Sequence, residues 1–317
     1  MNGVCRAVVL VAVILAAAGC GQASGSSDSV VHPATFDTQG GGKTSSGAGP
    51  MPSQAHAARI VRELWTMREN VIDRLDAPGF ASLEIGAAQA IDSSYVRFVL
   101  CGCNQPKAGH QLQRVIPIVP ASSSDGTFMA EVQTINSATD ERPWYILGFR
   151  RVHGQWKIAF ITLAGYKAQP PVQLPTTHGL GPSTRATHAG ITRMATGAAR
   201  YAASQGPANS KTTYGASVHT QILVRPQSDG VFGADIGHGL LLGCYTVHQI
   251  DTYSMASGLS QDAGQHNWGP QLLPGAYSRI RTDTAVSVCD LGKPAANTRI
   301  AQYDSQQITA TGSRLGA

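Results

Sequence analysis

Charge is scarce in this chain: Asp, Glu, Lys and Arg together make up 14% of its 317 residues, and the formal net charge is +5. The slight basic excess is scattered, which argues against a nucleic-acid partner. Long hydrophobic runs are also missing. The one uninterrupted apolar stretch, residues 7–18, is shorter than the ~20 residues that a bilayer span requires. No Gly-x-Ser-x-Gly elbow and no Ser-x-x-Lys presents an activated serine. No His-Glu-x-x-His exists. Asp235 and His238, with His219 and His248 on neighbouring predicted strands, have a spacing that chance produces often, and a zinc site needs three or four convergent ligands. The Gly40-Gly41-Gly42-Lys43-Thr44 string has Asp37 where a P-loop needs its first glycine, and no strand or helix flanks it. The sequence therefore names no cofactor, no metal and no catalytic residue.

What is present is an address. Residues 1–6 carry one positive charge, residues 7–18 are apolar, and Ala17-Ala18-Gly19-Cys20 follows. This is the layout of a secretory signal. Its end resembles the lipobox of bacterial lipoproteins. The resemblance implies cleavage before Cys20, diacylglycerol on its sulfur and anchoring to the lipid bilayer on the extracytoplasmic face. Two acyl chains are what stable anchoring takes. Residues 20–53, rich in Gly, Ser, Thr and Pro, read as a spacer.

Beyond the spacer the chain is long enough for two domains. Residues 54–168 read as a first α+β module, 169–183 as a Pro-rich linker and 184–317 as a second. Ser53 can cap a helix over 53–75 in which Ala58, Val61, Leu64, Trp65, Ile72 and Leu75 share a face. A shorter helix is expected over 80–91. Strands are expected over 95–101, 113–119, 127–135, 144–151 and 156–163, the last two joined by a tight turn at His153-Gly154. Tyr145, Leu147 and Phe149 should line one face of that hairpin with Trp156, Ile158 and Phe160, covering the first helix. The second half repeats the order: a helix over 184–205, then strands over 218–225, 240–250, 276–281, 285–289 and 298–309. A helix followed by antiparallel strands, twice, is an α+β plan.

The first half resembles, in topology, the nuclear-transport-factor-2-like cone. That resemblance implies a pocket between helix and sheet, in which Asp92 and Tyr95 are the residues to inspect first. The mature chain is also similar to an uncharacterised family of actinobacterial lipoproteins. The resemblance is carried by Glu84-Ile85-Gly86 through Ala90-Ile91-Asp92, by Trp156-Lys157, by Leu174-Pro175 and by Leu273-Pro274-Gly275-Ala276-Tyr277. It implies an address and a fold but no chemistry. The expected role is a non-catalytic surface or envelope protein with an envelope or extracellular partner. The rival is an exported enzyme or small-ligand binder with its site in the first cone.

Cysteine usage fits export. With Cys5 in the signal and Cys20 lipidated, Cys101, Cys103, Cys244 and Cys289 remain, an even number. Four cysteines allow three connectivities. If each half folds on its own core, bridges stay within a half, which pairs Cys244 with Cys289 and Cys101 with Cys103. The Cys101-Gly102-Cys103 pair could serve thiol redox chemistry, but no thioredoxin-like βαβ pattern surrounds it.

Overall fold

The computed structural model describes residues 50–102, 109–136, 138–166, 169–171, 180–205, 216–224, 231–237, 240–255, 261–262, 276–292 and 299–314. Helix α1 spans Gln54–Asp73, and Ser53 caps it by accepting from the His56 amide at 3.2 Å. Its buried face is Ala57, Ile60, Val61, Leu64, Trp65, Arg68 and Val71. That stripe is rotated from the expected one, and it carries a charge. Leu75 turns left-handed (φ 52°), ending the helix before a 3-10 segment over Ala77–Ser82.

Helix α2 spans Gly86–Leu100, so residues 95–100 are helical rather than a strand. Tyr95-Val96-Arg97-Phe98-Val99-Leu100 alternates well enough to suit a strand. The helix is favoured because it places Ala88, Asp92, Tyr95, Val96 and Val99 on one buried face. Gly102 (φ 69°) closes its end, with its amide bonded to the Val99 carbonyl.

Strands β1 (His110–Ile118), β2 (Thr127–Asn136), β3 (Trp144–Val152) and β4 (Gln155–Gly165) form an antiparallel sheet in that order. The β3–β4 turn holds His153 and Gly154 at positive φ, 49° and 83°. This is the left-handed pair that a two-residue hairpin requires. One face of the sheet packs on α1 and α2 through Phe128, Leu147, Phe149, Ile158 and Ile161. Phe160 is not on that face. The register shifts between Gly148 and Phe149, so that Phe149 opposes Ile158 while Gly148 opposes Phe160. The bulge turns Phe160 to the other side, with Trp144, Ile146 and Met129.

The second half begins with α3 (Arg185–Gln205), followed by β5 (Ala216–Val224), β6 (Val231–Gly237), β7 (Leu240–Met255), the short β8 (Gln261–Asp262), β9 (Ala276–Gly292) and β10 (Arg299–Arg314). The sheet order is β10-β9-β7-β5. β6 shares the β7 edge with β5, and β8 pairs with β9. Strands expected over 276–281 and 285–289 are one strand, paired on both edges through Thr282-Asp283-Thr284. Helix α3 covers one face of this sheet. Its Ile191 seats over Gly233 and Gly243, which are cross-strand partners. A Cβ on Gly233 would lie 2.0 Å from the Leu242 carbonyl oxygen, so no larger residue fits there.

The other face meets the first sheet. Phe232, Leu242, Cys244 and Cys289 share one apolar layer with Ile118, Trp144, Ile146 and Phe160. Among the described residues the order of layers is helices, sheet, sheet, helix, all within the unit Thr38–Ala317. The cores of the two halves are thus joined by a common layer. Cys244 and Cys289 are cross-strand partners, 4.1 Å apart at Cα, and are disulfide-bonded in that layer with no exposure. Cys101, at the end of α2, is also disulfide-bonded. Cys5, Cys20 and Cys103 lie outside the described residues, as do 172–179 of the Pro-rich segment.

Gly148 is what lets the sheets approach. A Cβ there would stand 2.7 Å from the Phe232 ring and 2.9 Å from the Phe160 Cβ. Gly148→Ala should therefore cost roughly 1–3 kcal/mol by overpacking, and Phe232→Ala about 3–5 kcal/mol by leaving a cavity. The bridge closes a separation of 45 residues, for which the chain-entropy argument predicts a loss of about 4 kcal/mol in a Cys244→Ala/Cys289→Ala variant. Urea unfolding of the three variants against wild type measures each value.

Candidate functional site

One side of α1 and the start of β1 enclose an open cleft of about 490 Å³. The helix contributes Arg62, Trp65, Thr66, Glu69, Asn70 and Asp73, a single stripe at helical spacing. The strand contributes residues 109–112. Because β1 is the edge of its sheet, its outer backbone groups need partners. Two come from α1: the Trp65 indole N–H donates to the His110 carbonyl at 3.0 Å, and the His110 amide donates to Glu69 Oε2 at 3.0 Å. The other Glu69 oxygen accepts from Arg68 at 2.8 Å. Burial raises the Glu69 carboxyl above its ordinary range, opposed by Arg68 and by the His110 amide.

Behind Glu69 lies a buried charge cluster. Arg68 forms a two-point pair with Asp92, Nε to Oδ2 at 2.5 Å and Nη2 to Oδ1 at 2.9 Å. Glu84 has no exposed surface, and its Oε1 stands 3.5 Å from Arg68 Nε. Burial disfavours the Arg68 charge, but Asp92, Glu69 and Glu84 outweigh it and hold the guanidinium protonated. Burial, and then the charge of Asp92, push the Glu84 carboxyl well above its ordinary range. Neither Glu84 oxygen meets hydrogen-bond geometry. Burial is the largest reason the neutral acid is favoured, and a hydrogen bond from the acid to Asp92 adds to it. The segment holding Glu84 is fixed by two backbone bonds to Ile158 of β4.

Asp92 and Tyr95, expected in a pocket, do not line this cleft. Asp92 is locked to Arg68, and Tyr95 packs in the core beneath the helices. Arg68 and Glu69 escaped the sequence reading because an Arg-Glu pair in a helix reads as solvated surface. His248 pairs with Asp283 at 2.9 Å, whereas His238 lies outside the described residues. Among the described residues, no group of three or more His, Cys, Asp or Glu is placed to hold a metal ion.

A second polar cluster joins the β1–β2 loop to the start of α3. Ser183 Oγ lies 2.8 Å from His188 Nε2, and His188 Nδ1 lies 2.7 Å from Asp125 Oδ2. The His188 bond is the largest cause that holds Asp125 down, at about 2. Around it, the Ser183 amide donates to the Ser122 carbonyl and the Ser124 amide to the Ser183 carbonyl. Thr184 and Thr187 cap α3 reciprocally, each hydroxyl accepting from the other's amide. No protein-family model, curated protein or solved structure matches the chain.

The two clusters respond to pH with opposite sign. Asp125 is more acidic folded than unfolded, so its contribution is present above its ordinary carboxylate value and fades as pH falls toward 2. Glu84 is less acidic folded, so its contribution is present below the ordinary value near 4.5 and fades as pH rises toward its folded value. Urea unfolding across pH should show Asp125→Asn flattening the acid limb and Glu84→Gln flattening the limb above pH 4.5. Arg68→Met should cost about 3–5 kcal/mol by leaving Asp92 buried and unpaired. Adding Asp92→Asn should recover part of that loss in a double-mutant cycle.

Proposed function

We propose that the chain is a lipid-anchored extracytoplasmic protein that binds a partner or ligand rather than transforming one. The address rests on the Ala17-Ala18-Gly19-Cys20 string, and the buried Cys244–Cys289 bridge suits an oxidising compartment. The observation that carries the non-catalytic reading is the filled interior of the first half. Trp65, Phe128 and Phe149 are buried between α1, α2 and the four-stranded sheet. We read that half as a cone of the nuclear-transport-factor-2-like kind, closed by its own aromatic side chains. The ionisable groups at its heart are committed to one another, with Asp92 held by Arg68. An acid or base needs reach to a substrate proton, and Asp92 has 4% exposure.

The second reading, a small-ligand binder, is favoured by the cleft beside Glu69, which is open to solvent and lined by polar and charged residues around Trp65 and Leu112. It keeps the same anchor and the same fold. The partners are then the bilayer, through acylated Cys20, and an envelope or extracellular species.

Metabolic labelling with a fatty-acid probe tests the anchor. Wild type should take up label and sediment with membranes, and Cys20→Ala should do neither. Label retained on Cys20→Ala would place the acyl chains elsewhere and remove the lipobox reading.

A further inference from the structure

We infer that the cleft between α1 and β1 is a binding site for a short, neutral saccharide. This deepens the binding reading above and rests on it, independently of the lipid anchor.

Size comes first. A volume of about 490 Å³ falls within the roughly 300–1,000 Å³ of small-molecule sites. Charge comes second. The lining sets one cation, Arg62, against two carboxyls, Glu69 and Asp73. The slight acidic excess disfavours phosphates and nucleic acids.

Hydrogen-bonding chemistry narrows the class further. Arg62, Asn70, Asp73 and Gln111 line the cleft and, among the described residues, make no side-chain hydrogen bond or ion pair. All four are planar, two-pronged groups. They include a pure donor, a pure acceptor and two amides that do both. Vicinal hydroxyls, which donate and accept at fixed spacing, match such a set. Glu69 adds an acceptor whose orientation is fixed by two bonds, from Arg68 and from the His110 amide. An extended peptide is the poorer fit. To join the sheet it would need the outer backbone groups of β1, and those of His110 are taken by Trp65 and Glu69. The Trp65 ring, 2% exposed, offers an apolar ligand little surface.

The test is calorimetric titration of the detergent-solubilised full chain. The probes are neutral trisaccharides of gluco, manno, galacto and arabino configuration, with a hexuronate trisaccharide and trilysine for comparison. At least one neutral trisaccharide should bind. Asp73→Ala and Gln111→Ala should each weaken it tenfold or more, while Arg59→Ala, on another part of α1, should not. Both cleft residues are exposed, so these variants should fold as wild type does. The proposal is overturned if no neutral trisaccharide binds, if binding survives both cleft substitutions, or if the hexuronate or trilysine binds in preference. Loss of the saccharide with acylation of Cys20 intact would remove this site and leave the anchored protein standing.

Discussion

A guanidinium buried beneath a helix cannot be left alone, and Arg68 shapes the first half of this protein for that reason. Taking a charge out of water costs several kcal/mol unless partners are held in good geometry around it. Those partners come from three places: Asp92 on α2, Glu84 just before α2, and Glu69 beside Arg68 itself. Each contact fixes an element. Asp92 sets the rotation of α2 against α1, and it helps explain why residues 95–100 continue the helix instead of starting a strand. Glu84 lies between Leu83 and Ile85, whose backbones bond Ile158 of β4 and tie the approach to α2 to that strand. Glu69 carries the constraint outward to the mouth of the cleft, where the His110 amide completes its coordination.

Three carboxyls around one arginine would be over-charged if all were ionised. The site resolves this by position. Asp92 takes the two-point pair, Glu69 accepts from Arg68 and from the His110 amide, and Glu84 has neither and favours its proton. The environment, more than the residue type, decides which carboxyl does which job. This is also why Asp92 makes a poor catalytic residue. Its charge already stabilises Arg68, and using it elsewhere would strand a cation in the core.

The parts of the fold legible in the sequence are those set by local pattern. Ser53 before an apolar 3.6-residue period gave α1, and His153-Gly154 between two aromatic strands gave the β3–β4 hairpin. The Cys244–Cys289 bridge was reached by assuming independent cores, yet it lies in the layer that the two sheets share. What escaped depends on contacts distant in sequence. Phe160 changes face because a bulge at Gly148 interrupts alternation, and the bulge exists where Phe232 must dock. Strand β6 was missed because Phe232-Gly233-Ala234 has a glycine where a strand former is expected. That glycine is required by the Leu242 carbonyl of β7 and by Ile191, which approaches from α3. The cleft was invisible because a polar helical stripe reads as solvated surface whether or not a strand stands beside it.

Ser183, His188 and Asp125 show how exposure decides between readings that geometry leaves equal. Hydroxyl to Nε2 and Nδ1 to carboxylate is the arrangement that activates a serine nucleophile, with the carboxylate buried and the hydroxyl turned to substrate. Here the burial is inverted. The Asp125 side chain is 42% exposed, while Ser183 is 1% exposed and its segment is bonded on both sides to the β1–β2 loop. A hydroxyl so enclosed cannot approach a carbonyl carbon without parting the loop from α3, which breaks the bonds that set the geometry. The same three groups serve well as a latch. His188 ties the start of α3 to the β1–β2 loop through Nδ1 on Asp125, while Nε2 holds Ser183 of the segment leading into the helix.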